Sequence, residues 1–243
     1  MSWLRAGVFG GLGMLIGGPI GAGIGIAVGS AMGGEKSHVS LEAQNQLIYF
    51  TALFSMLGKI AKADGQVSQE EVAVVSRFMD EMGLQEEHKQ IAIKIFNDAK
   101  INTYSIYDYA SQYSEVAGHE MRVILYATLW NVALSDGVIH PKEDEILRKI
   151  PGFLKIEESS YDEYSLRAPC DTGDVNKSYV LLGCETGDSD SEIKRKYRYA
   201  VSEYHPDKIQ SKGLPDGFMK FANEQTQKIN EAYSVVMESR KSL

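Results

Sequence analysis

The sequence predicts an all-α protein in three parts: a glycine-rich N-terminal transmembrane helix, a helical domain and a C-terminal helical hairpin. Three observations predict this. Apolar residues return every three or four positions through most of the chain, the period of helices buried on one side. Residues 6–34 contain no charged side chain at all. A turn signature near residue 64 returns near residue 136, which marks an internal duplication.

Composition narrows the functional classes. Of the 243 residues, 44% are hydrophobic and 24% charged, as in an ordinary globular protein of one or two domains. The net charge of −8 is unevenly spread: residues 35–175 carry 13 basic and 23 acidic residues, and residues 176–243 carry 11 and 10. An acidic middle argues against a nucleic-acid partner, because phosphate contacts need clustered cations. The two cysteines, Cys170 and Cys184, form no CxxC pair and match no zinc spacing, so reduced thiols are expected.

Residues 1–35 read as a membrane anchor. The uncharged run of 29 residues exceeds the roughly 20 that a spanning helix needs. Trp3 suits the membrane interface; Arg5 precedes the run, and Glu35 and Lys36 follow it. Gly17, Gly21, Gly25, Gly29 and Gly33 recur every four residues. On a helix they form a stripe against which a second helix can pack closely, so the anchor is expected to form a homodimer. A cleaved signal peptide and a surface arm rich in glycine stay open as readings of the same residues. Charge does not orient the segment, since Arg5 and Lys36 lie on opposite sides.

Residues 40–157 read as the helical domain. The chain runs AKADGQVSQEE from Ala61 and ALSDGVIHPKED from Ala133, pairing Asp64 with Asp136, Gly65 with Gly137 and Glu71 with Glu143. An apolar helix precedes each Asp-Gly, and an amphipathic helix follows. The second copy places Pro141 near a helix start, where its missing N–H costs little. Leu47, Phe50, Leu53, Phe54 and Leu57 give one apolar face; Val75, Phe78, Met79 and Met82 a second; Leu125, Tyr126, Leu129 and Trp130 a third. Tyr104, Tyr107, Tyr109 and Tyr113 read as packing residues.

This duplicated pattern resembles the TerB-like helical fold. The resemblance raises metal binding through Asp64, Glu71, Asp136 and Glu143. The residues themselves favour a plainer role, in which Asp and Gly make the turn and Glu caps the next helix. An EF-hand is excluded, because neither copy has alternating oxygen ligands with a Glu at position twelve. Past Pro151 the periodicity fades, and residues 158–175 read as a linker.

Residues 176–243 read as the hairpin. Tyr179 to Gly183 forms a short helix stopped by glycine. Asp188 to Ser191 offers helix caps. Ile193, Tyr197, Ala200, Val201 and Tyr204 then share one helical face, with Lys194, Arg195 and Arg198 off it. Pro206 ends the helix and leaves His205 and Asp207 in a turn. A long second helix carries Ala222, Ile229, Ala232 and Val236 on its apolar side.

In this order these segments resemble the J domain. Tyr-x-x-Leu-Gly, Glu-Ile-Lys-x-x-Tyr-Arg, Tyr-His-Pro-Asp-Lys and Ile-Asn-Glu-Ala-Tyr all occur in family sequence. The resemblance implies docking on a DnaK-type ATPase chaperone through His205, Pro206, Asp207, Lys194, Arg195 and Arg198, with stimulation of its ATP hydrolysis. Thr226 departs from the family, standing where many members have Phe, and the stretch from Asp207 to Ile229 is long. Anchor, TerB-like domain and J domain together resemble the DjlA-type membrane-anchored co-chaperones. That resemblance implies a bacterial inner-membrane protein, single-pass, with its domains in the cytoplasm. No cofactor and no catalytic centre is expected, since no GxSxG, HExxH or P-loop pattern occurs. The alternative is an interaction or metal-sensing scaffold with an accessory J domain.

Overall fold

A computed structural model describes residues 17–29, 41–63, 69–135, 139–165, 174–204 and 216–241, and all its regular elements are helices. In chain order they are α1 (Gly18–Gly29), α2 (Leu41–Ile60), α3 (Gln69–Glu81), α4 (Glu86–Ile101), α5 (Ile106–Val116), α6 (His119–Ala133), α7 (Pro141–Leu154), α8 (Ser159–Ser165), α9 (Asp174–Leu181), α10 (Asp190–Glu203) and α11 (Asp216–Lys241).

Helix α2 is the axis of the central domain. From Leu47 to Ile60 nearly every side chain is buried, which fits its apolar composition on all sides. It packs on α4, α5 and α6. Gly58 makes the α4 crossing close: a Cβ there would stand 2.5 Å from the Phe96 carbonyl oxygen. The duplication is visible in the helix starts, since α3 and α7 begin at residues 69 and 141, the spacing of the two Asp-Gly turns. Those turns, with Asp64 and Asp136, lie outside the described residues. Pro141 occupies the first turn of α7. Helix α3 ends on Gly83, whose φ of 62° is the left-handed stop that lets the Leu84 N–H reach the Met79 carbonyl.

Helix α7 passes through Pro151 and ends at Leu154, further than the fading periodicity suggested. A proline there removes the N–H that would meet the Leu147 carbonyl four residues back. Tyr126 on α6 supplies the missing donor: its hydroxyl bonds that carbonyl at 2.9 Å in a buried position. Burial holds the Tyr126 phenol well above its ordinary pKa, so it stays a donor at every physiological pH. Tyr49 likewise donates to Thr128, which donates to the Ile124 carbonyl, tying α2 to α6. Of the four tyrosines expected to pack, Tyr109 and Tyr113 are in the core, Tyr107 stacks on Phe153, and Tyr104 is partly exposed.

The span read as a linker, residues 158–175, opens with a helix that belongs to the core. Tyr161 and Tyr164 of α8 are buried against Trp130 and Tyr126. These aromatic contacts outweigh the polar composition of the segment.

The described part of the N-terminal run is α1, seated on α2, α4 and α5 with Ile20 and Ile24 fully buried. Gln112 of α5 clamps its first turn, accepting from the Ile20 N–H at 2.7 Å and donating to the Gly17 carbonyl at 2.8 Å. Gly17 stands ahead of the helix at φ 58°, Gly21 is buried, Gly25 is exposed, Gly29 ends the helix, and Gly33 lies outside the described residues. No helix among the described residues is long and apolar enough to cross a membrane.

The Pro151–Tyr126 arrangement gives a test. Tyr126→Phe strands a buried carbonyl and should cost about 1–3 kcal/mol in chemical denaturation. In a Pro151→Ala background, where an N–H can return to Leu147, the same substitution should cost measurably less. Equal costs in both backgrounds would separate the hydroxyl from the proline.

Candidate chaperone-docking face

The C-terminal domain is built to hold one basic helix at a fixed angle. Helix α9 stops at Gly183, φ 63°, and the Cys184 N–H returns to the Tyr179 carbonyl at 2.8 Å. A tight turn follows, in which the Asp188 carboxylate accepts from the Glu185 N–H at 3.0 Å. Ser189 then caps α10 with Glu192 in a reciprocal capping box.

The predicted apolar face of α10 is the buried one. Ile193, Ala200 and Tyr204 are buried, while Tyr197 and Val201 are half-buried. They face α11, whose Ala222, Gln225, Ile229, Ala232 and Val236 are buried at alternating spacings of three and four. Tyr197 stacks on Tyr233 with ring centres 4.1 Å apart and donates to the Asn230 side chain at 3.0 Å. At the open end of the hairpin, Arg240 binds Asp190 at 2.7 Å, the Tyr179 hydroxyl at 3.1 Å and the Thr186 carbonyl at 3.2 Å. One guanidinium thus joins α9, the turn and α10 to α11.

Lys194, Arg195 and Arg198 are exposed on the opposite side of α10. None has an ion-pair partner among the described residues, whereas Lys196 on the same helix is committed to Asp188 at 2.9 Å. The face therefore offers three exposed cations to an incoming surface, of which Arg195 lies within electrostatic reach of Asp188 and Glu192. His205, Pro206 and Asp207 lie outside the described residues; they follow directly on Tyr204, the C-cap of α10. The structure thus brings the three cations onto one helix whose end leads into the tripeptide.

The two domains touch through α6 with α10 and α3 with α11. A cleft of about 360 Å³ lies between His119 and Glu157 of the central domain and Arg195 and Tyr199 of α10. A second, of about 370 Å³, is lined by Phe78, Trp130, Leu181, Tyr204 and Ile229. Neither was foreseen from sequence.

Of the acids considered for metal binding, only Glu143 has its side chain among those described. The Glu143 carboxylate accepts the His140 N–H at 3.0 Å, the capping role that its position suggested. Glu71 sits in the first turn of α3, and Asp64 and Asp136 lie outside the described residues. Among the described residues no three His, Cys, Asp or Glu side chains converge as a metal site.

Comparison with known proteins agrees with this division. The family model described as tellurite resistance protein TerB matches residues 50–166, and the DnaJ domain model matches residues 177–242. The co-chaperone protein DjlA of Coxiella burnetii is 30% identical over 213 residues, covering 80% of this chain and 78% of that protein. The chain belongs to the DjlA co-chaperone family. DjlA proteins of Vibrio cholerae, at 28% identity over 82% of this chain and 80% of that protein, and of Salmonella typhimurium, at 27% over 82% of each, match in the same way. No solved structure matches the chain. In this DjlA-family chain the C-terminal unit is a J domain and the central unit a TerB-type domain.

The Asp188–Lys196 pair gives a pH prediction. The hydrogen bond from Lys196, followed by that from the Glu185 N–H, holds the Asp188 carboxyl below its ordinary range. A lowered folded-state pKa gives stability that is present above the unfolded value, near 3.9, and is lost as pH falls through the folded value. Asp188→Asn should therefore cost on the order of 1 kcal/mol or less at pH 7. Thermal melts should show the gap between wild type and variant narrowing below about pH 4. A gap independent of pH would assign the cost to the turn alone.

Proposed function

We propose that this protein is a co-chaperone that docks on a DnaK-type chaperone through α10 and the following His205-Pro206-Asp207 turn and stimulates its ATP hydrolysis. The observation that carries the reading is the exposed cation row Lys194, Arg195 and Arg198 on a helix locked by its opposite face. Cations at a rim speed the encounter with an acidic surface. A carboxylate such as that of Asp207 can take a guanidinium in two-pronged fashion. The co-chaperone names of the relatives and the DnaJ-domain match support the same partner. The reading gives the chain no catalytic centre and no cofactor of its own.

Recruitment to a membrane completes the proposal. It is supported by the uncharged residues 6–34, long enough to span a bilayer. The glycine stripe Gly17, Gly21, Gly25, Gly29 and Gly33 would form the dimer contact between two such helices. Residues Ile20 and Ile24, seated on the central domain here, would exchange that apolar environment for lipid on insertion. The bacterial inner membrane, with both domains in the cytoplasm beside the ATPase, is the location this arrangement requires.

Two measurements test the docking. In single-turnover ATP hydrolysis by a DnaK-type chaperone, His205→Gln or Asp207→Asn should lose the stimulation while circular dichroism stays that of the wild type. Stimulation equal to wild type at matched concentration would defeat the reading. In stopped-flow binding, reversing Lys194, Arg195 and Arg198 to Glu should slow association, and added salt should slow the wild type, since at 0.15 M the screening length is about 8 Å. An association rate indifferent to both would remove the basic face from the account.

A further inference from the structure

We infer that the groove between α2, α4 and α5 of the TerB-type domain is a binding site for the N-terminal anchor, and that it competes with lipid for α1. The inference rests on the membrane reading above and adds the place where the anchor is kept when it is out of the bilayer.

The groove fits this helix in three ways. Its walls take the large side chains, since Ile20 and Ile24 are fully buried against the domain. Its floor takes bare backbone. Gly23 is buried over Thr51 and Ser55, and a Cβ built on it would stand 2.5 Å from the Thr51 methyl carbon. Only glycine allows so close an approach without a shift of the neighbours. Its rim reads the helix start. The Ile20 N–H belongs to the first turn and has no partner inside the helix. The Gln112 side chain accepts from it at 2.7 Å and donates to the Gly17 carbonyl at 2.8 Å.

What α1 turns outward is small. Gly18, Ala22 and Gly25 are exposed, at spacings of four and three, so they share the outer side of the helix. A docked α1 thus gives its smallest residues to water and keeps Ile20 and Ile24 inside.

Two features make the seat reversible. Ile20 and Ile24 have apolar surroundings in the groove as they would in lipid, so exchanging one for the other costs them little hydrophobic free energy. The floor of the groove carries hydroxyls. Thr51 is fully buried under α1, and its Oγ1 has no hydrogen-bond partner among the described residues. A stranded hydroxyl is a cost of the docked state, relieved when α1 leaves and water reaches it. The uncharged residues 6–34 then supply the length that a bilayer needs.

The experiment uses the full chain and vesicles of phosphatidylethanolamine and phosphatidylglycerol in equal parts, with flotation as the readout. The Cβ built on Gly23 lies 4.0 Å from the Thr51 Cβ, within disulfide reach. Gly23→Cys combined with Thr51→Cys should therefore form an intramolecular disulfide in lipid-free buffer. The oxidised chain should lose its flotation, and dithiothreitol should restore it. Thr51→Cys alone should float equally well oxidised and reduced, which sets Cys170 and Cys184 aside. Gln112→Ala removes the clamp and leaves the α1 sequence as it is. Its partition into vesicles should tighten about 2- to 10-fold, the worth of one hydrogen bond withdrawn from the docked state. A pair that does not crosslink, an oxidised chain that floats like the reduced one, or a Gln112→Ala chain with unchanged or weaker partition would each overturn the inference and leave the anchor standing. A wild-type chain that stays off the vesicles would overturn the membrane reading, and the inference with it.

Discussion

Burial of one face of α10 against α11 is the interaction on which the functional geometry depends. Ile193, Ala200 and Tyr204 cannot be buried without turning Lys194, Arg195 and Arg198 to solvent, because side chains 3.6 residues per turn apart leave no other choice. The same packing carries Tyr204 to the domain boundary, where its hydroxyl meets Asn131. Arg240 and the Asp188–Lys196 pair close the opposite end of the hairpin. They engage neighbouring charges, and the exposed cations Lys194, Arg195 and Arg198 are the ones a partner can meet.

The central domain solves a different problem. A helix apolar on every side, α2, must be enclosed, and the duplicated helical units with α4 and α5 enclose it. Its enclosure needs polar repairs. Tyr126 replaces the donor that Pro151 lacks, and Tyr49 and Thr128 satisfy each other between α2 and α6. Both repairs converge on α6, the helix that also presents Asn131 to Tyr204. A helix fixed by both repairs is therefore one of the two that touch the J domain.

Much of this was legible in the sequence, because periodicity records which face of a helix is buried. The apolar faces of α2, α3, α6, α10 and α11 are the ones the spacing marked, and the two repeat helices start 72 residues apart. Glu143 was readable as a cap, since a glutamate at the third helical position follows a general rule. What periodicity could not show was contact between elements distant in sequence. Residues 159–165 are too polar and too short to display a period, so Tyr161 and Tyr164 read as linker until Trp130 and Tyr126 were seen beside them. The passage of α7 through Pro151 was not legible, because the hydroxyl that permits it comes from a residue on another helix. Asn131 carried no signal at all. The N-terminal glycine run illustrates a further limit: its composition suits both a bilayer and the groove where Ile20 and Ile24 lie.

The central claim is that the chaperone meets this chain on the basic side of α10. Photocrosslinking tests it most directly. A photoreactive residue would be placed in the full chain at Arg198, or at Ile93 on the exposed side of α4 as the alternative contact surface. With a DnaK-type chaperone in its ATP state, the account predicts a crosslink from position 198 to the ATPase domain and none from position 93. A crosslink from position 93 alone would place the partner on the central domain and contradict it.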